Sequence, residues 1–77
     1  MSPSDNIIKL AAATIKISEE TAKNNMVEVP EIDGFYFWNP IRGGNSVMID
    51  KNGEKLGATS SVSFERHLQE FLKGRRN

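Results

Sequence analysis

The 77-residue chain contains no cysteine. No disulfide can staple it and no thiolate can hold zinc, so its stability must come from packing, with a partner subunit as the other source. A domain of this length buries only about 60% of its unfolded surface, which leaves little margin in the core. The lack of thiols also fits a reducing compartment. An excess of one charge is missing as well, because ten basic and ten acidic residues cancel. Nucleic-acid-binding domains usually carry a positive excess that neutralises phosphates, so that role is disfavoured. Apolar runs such as Leu10–Ala13 are far too short to span a bilayer. The N-terminus has no basic segment leading into an apolar one, so no secretory signal is expected and the cytoplasm is the default location. Repeats and low-complexity linkers are absent, and residues 1–77 are expected to form one small domain.

What is present reads as helix, strands, helix. Ser2 can cap a first helix, Pro3 suits its first turn and Asp5 suits the positive end of its dipole. Ile8, Ala11, Ala12, Ile15 and Ala22 recur at helical spacing and predict a helix over about Ser4 to Asn24. Thr14 to Ser18 alternates like a strand, and Ser18-Glu19-Glu20 can restart a helix, so a break near Ile17-Ser18 is an open alternative. Met26–Val29 alternates and is stopped by Pro30. Phe35–Trp38 is the strongest strand signal, followed by Ser46–Ile49 and Glu54–Thr59 around the turn Asp50-Lys51-Asn52-Gly53. Ser60 and Ser61 are candidate caps for a second helix whose apolar stripe is Phe64, His67, Leu68, Phe71 and Leu72. Gly74 ends it, and residues 75–77 are expected to fray. The expected class is α+β: an N-terminal helix, a three- to four-stranded antiparallel meander and a C-terminal helix. Both helices are expected on one sheet face, in two layers.

Chemistry-bearing constellations are scarce. His67 is the only histidine; Glu70 three residues on and Ser63 four residues back could share its helix edge, a common coincidence on any helix, and it reads as a residue flanking the apolar stripe. Asp50-Lys51-Asn52-Gly53 begins like a calcium loop but lacks its sixth-position Gly and twelfth-position Glu. Thr59-Ser60-Ser61 lacks a nucleophile-elbow context. No catalytic, metal or cofactor site is expected, and the chain reads as a non-enzyme. Arg42-Gly43-Gly44 beside aromatics suits either a sharp turn or a nucleic-acid contact.

The aromatic strand is the informative feature. Strand alternation sends Phe35 and Phe37 to one face with Val47 and Ile49, and Tyr36 and Trp38 to the other with Met48. The core is expected to hold Ile8, Ile15, Phe35, Phe37, Val47, Ile49, Leu56, Phe64, Leu68 and Phe71. Tyr36, Trp38 and Met48 then form either an open contact face, with Arg42 beside it, or a second small core under the loop around Ile32 or Ile41.

The stretch from Gly34-Phe35-Tyr36-Phe37-Trp38-Asn39 through Gly44-Asn45-Ser46-Val47-Met48-Ile49-Asp50-Lys51-Asn52-Gly53 to Gly57-Ala58-Thr59 and Phe64-Glu65 resembles the small YrhB-like immunity domains of bacterial toxin systems. The likeness covers about half of the chain. It departs in the short Asn39–Gly44 loop and in Ser46-Val47, where a Pro is expected. The resemblance implies a protein that binds and neutralises a partner protein without catalysis. Two function classes follow: a protein-binding or self-associating module (a dimer, for example), and a nucleic-acid-associated module using Arg42, Tyr36, Trp38 and the Lys73/Arg75/Arg76 end.

Overall fold

The computed structural model describes residues 3–41 and 43–76. The N-terminal helical segment is two helices. Helix α1 spans Asp5–Ile15, and its N-cap is Ser4, whose hydroxyl accepts from the Ile7 N–H. Ser2 lies outside the described residues, and Pro3 precedes the helix rather than opening it. The single-helix expectation is therefore replaced by its alternative, a break. Lys16 turns left-handed at φ 60°, and both its N–H and that of Ile17 donate to the Ala12 carbonyl. A non-glycine residue there is strained, and the packing of Ile17 against the core offsets that cost. Helix α2 then restarts at Glu19–Asn24, capped by Ser18.

Four strands follow: β1 Met26–Val29, β2 Gly34–Trp38, β3 Ser46–Asp50 and β4 Lys55–Ala58. A single 3-10 turn, Pro30–Ile32, joins the first two. The sheet is an antiparallel meander in the order β1-β2-β3-β4. Its register sets Phe35 opposite Ile49, Phe37 opposite Val47, and Tyr36 between Val27 and Met48. Helix α3, Phe64–Leu72, ends the fold. Its cap is Ser63, which accepts from the Arg66 N–H, rather than Ser60 or Ser61.

The expected α+β body is present, with an N-terminal helical segment, a four-stranded antiparallel sheet and a C-terminal helix. Helices α1 and α2 pack Ile7, Ile8, Ala11, Ala12, Ile15 and Ala22 onto the face carrying Phe35, Phe37, Val47 and Ile49. Helix α3 does not join them. It covers the opposite face, where Phe71 and Leu68 meet Met48, Leu56, Tyr36 and Ile32. Two apolar clusters thus sandwich the sheet. Phe64, assigned to the core by its stripe, is 38% exposed at the start of α3.

Arg75 and Arg76 make contacts back onto α3, and Asn77 lies outside the described residues. Gly74 takes φ 97° and its N–H donates to the Phe71 carbonyl, while the Arg75 N–H reaches the Glu70 carbonyl. This paired closure needs a left-handed residue, which glycine supplies without strain. The Arg75 guanidinium donates to Glu70, and that of Arg76 stacks 3.6 Å over the Phe71 ring.

Gly34 is required for a different reason. A Cβ there would overlap the Ile49 carbonyl oxygen and lie 2.6 Å from the Asp50 Cα, both backbone atoms that no rotamer change can move. Gly34→Ala should destabilise the domain by about 1–3 kcal/mol, read as a lower urea midpoint. An unchanged midpoint would mean that β2 and β3 separate freely at this end.

Candidate functional site

The residues expected to form a contact face are divided by α3. Met48 is completely buried. It lies beneath the helix as part of the second cluster and cannot touch a partner, which corrects its assignment as a contact residue. The physical reason is that α3 carries its own apolar stripe, and α1 and α2 already occupy the other face. Tyr36 is half-buried. Its ring meets Phe64 edge-on at 4.9 Å, His67 edge-on at 5.6 Å and Trp38 at 5.8 Å. Trp38 is half-buried at the rim. Arg42 lies outside the described residues. Of the two alternatives for this face, a second small core is present, with Ile32 packed against it and α3 as its cover. Ile41 is not part of that core, being 67% exposed.

Beyond the edge of α3 the same face remains open. A groove of about 450 Å³ lies between the N-terminal end of α3, strands β1 to β3 and the loop after β2. Its apolar walls are Val27, Tyr36, Trp38, Ile41, Val62 and Phe64. Among the described residues lining it, none is charged. The polar ones include Asn39, which holds the loop in place. Its amide nitrogen donates to the Ile15 carbonyl at the end of α1, and its Oδ1 accepts from the Ile41 N–H. The Asn39 N–H in turn donates to the Asn45 carbonyl. Ile41 is thereby held outward on a short, braced loop.

Sequence reasoning named Tyr36 and Trp38 but missed Val27, Ile41 and Phe64 as groove residues. Val27 was legible, because alternation in β1 puts it on the face opposite Met26. Ile41 carried one signal, a β-branched apolar residue in a Pro-Gly loop. Phe64 carried none, since the helical stripe alone assigns it inward.

His67 is buried in the second cluster's edge, 1% exposed. A carbonyl can only accept, so His67 Nε2 carries a proton and donates to the Leu56 carbonyl at 2.6 Å. Nδ1 faces the Ser46 hydroxyl at 3.4 Å. Burial pushes the imidazole below its ordinary value of 6.5, and the bond to Leu56 opposes that shift. Both ring nitrogens thus serve the docking of α3 to β3 and β4. A shallow pocket beside the ring also receives Arg66, Glu70 and Arg75. Glu70 is bound to Arg75 at 2.7 Å and to Lys73 at 3.2 Å, and those two cations hold its carboxyl below the usual range.

The Asp50 turn behaves as a turn. Asp50 Oδ1 accepts from the N–H groups of Asn52 and Glu54. No group of three or more metal-ligating side chains occurs among the described residues. Among the same residues, no helix is long and apolar enough to cross a membrane. No family model, curated protein or solved structure matches this chain.

Proposed function

We propose that this domain is a non-enzymatic protein–protein interaction module that receives an uncharged, apolar segment of a partner protein in the groove walled by Trp38, Ile41 and Phe64. The observation that supports this reading is the clustering of exposed apolar side chains there: Val27 is 43%, Ile41 67% and Phe64 38% exposed, beside two aromatic rings. Scattered exposed apolar residues need no explanation, but clustered ones in a concave site do. Trp and Tyr are enriched where interfaces draw most of their energy. The partner class that fits the resemblance to YrhB-like immunity domains is a bacterial toxin, met in the cytoplasm. The engagement of both His67 nitrogens by structural partners supports the absence of catalysis. The nucleic-acid reading draws less support, because the described lining of the groove carries no charge and the exposed Lys73 and Arg75 are paired with Glu70.

The test uses a photo-crosslinking side chain at Ile41 and, as a control, at the exposed Lys9 on α1, in the source cells. Ile41 should capture a discrete protein that Lys9 does not. Trp38→Ala should cut the yield roughly tenfold or more, since an interface aromatic contributes about 2 kcal/mol. Its melting point should stay within a few degrees of the parent. Sedimentation of the pure protein separates a second copy from a foreign partner. Equal capture from both positions, or capture indifferent to Trp38, contradicts the proposal.

A further inference from the structure

Helix α3 is held to its sheet face by few side chains. Of its nine residues only two, His67 and Phe71, are buried anchors; Leu68 packs partly buried beside them, and Phe64 and Leu72 are 38% and 57% exposed. One of those two anchors is a titratable ring. In its neutral form it gives a proton to the Leu56 carbonyl and faces the Ser46 hydroxyl, which can donate to it or accept from it, so what disfavours a charged ring in the docked helix is its burial, at 1% exposure. Helix α3 also supplies Phe64, one wall of the groove, through its edge contact with Tyr36.

We propose that α3 is an acid-releasable cover: protonation of His67 undocks it from the Tyr36, Met48 and Leu56 face and withdraws Phe64 from the groove. Protonation puts a charge and a second ring N–H into a site that is almost closed to water. The surrounding groups do not offset it. From α3 and the tail, the charged groups lining the pocket beside the ring are Arg66, Arg75 and Glu70, and Glu70 is already engaged by Arg75 and Lys73. From β4 the ring meets the Leu56 carbonyl, from β3 the Ser46 hydroxyl and from β2 the Tyr36 ring, none of them a carboxylate. The undocked helix leaves His67 in water at its ordinary value of 6.5, above the docked value. The open form therefore takes up the proton first. Docking is at full strength above about pH 6.5 and weakens as pH falls toward the lowered docked value. Each pH unit between the two values gives up to about a tenfold increase in the open population.

Release of α3 is independent of what the groove binds; only its effect on capture rests on the groove reading. The test therefore uses the free 77-residue chain and no partner. His67 is titrated through its ring-proton NMR shifts, and amide exchange of α3 and α1 is followed from pH 7.5 to 5, corrected for intrinsic exchange. The expected result is a His67 value below 6.5, with α3 protection falling by up to about tenfold per pH unit between that value and 6.5 while α1 holds. His67→Gln keeps a donor for Leu56 and cannot be protonated, so its α3 protection should not change with pH. A His67 value at or above 6.5 overturns the proposal, as does constant α3 protection or joint loss from α1 and α3. These parent measurements decide the matter even if the Gln variant does not fold.

Discussion

Phe37→Ala is expected to leave the domain near or below its folding threshold. Phe37 is completely buried in β2, facing α1 and α2, with Val47 opposite it on β3 and Met26 on β1. Its ring also lies 6.4 Å from that of Phe35. Truncating a buried Phe removes its transfer energy and leaves a cavity, together about 3–5 kcal/mol. At about 0.05–0.15 kcal/mol per residue, a chain of this length has about 4–12 kcal/mol in all. Circular dichroism should show either no cooperative melt or a fall of about 12–40 °C, at about 4–8 °C per kcal/mol. A fall of only a few degrees would mean that Phe37 does not sit in the α1/α2 core.

Met48→Ala is expected to have the second-largest effect, about 2–5 kcal/mol, because Met48 is completely buried beneath α3. The same change on an open contact face would stay within about 0.5 kcal/mol. The variant therefore discriminates between a sheet with one covered face and a sheet with two. Urea denaturation provides the midpoint, and amide exchange provides the location. Loss of protection should concentrate in α3, whose cluster Met48 anchors, before it reaches α1. A midpoint equal to the parent's would return Met48 to the surface.

Much of the fold was legible because its signals are local. The alternation in Phe35–Trp38 and Val47–Ile49 assigned each side chain to its correct face, as the register of β2 and β3 bears out. The turn at Asp50–Gly53 and the stop at Gly74 were equally readable. The helix break was present as a conflict between a helical and an alternating pattern around Thr14–Ser18. Left-handed Lys16 decides it, because that geometry lets Ile17 fold back into the core. Cap positions were less readable. Three serines lie within residues 60–63, and the one used is the one adjacent to the turn of helix that meets the sheet. The tail's contacts were unreadable for a related reason: a charged terminus looks solvated until a ring such as Phe71 lies within reach of its guanidinium.

By itself, the sequence determined which residues share a side of each strand and which strands are neighbours, since the pleat and short turns act over a few residues. Only the tertiary structure decided which side α3 takes. Both sheet faces are apolar, one through Phe35, Phe37, Val47 and Ile49, the other through Tyr36, Met48 and Leu56. Helices α1 and α2 fill the first with small alanines and isoleucines, leaving the second exposed to water unless α3 covers it. The helix is too short to reach all of that face. The groove around Trp38 and Ile41 is the part left open, and its existence depends on a difference in area that no local pattern encodes.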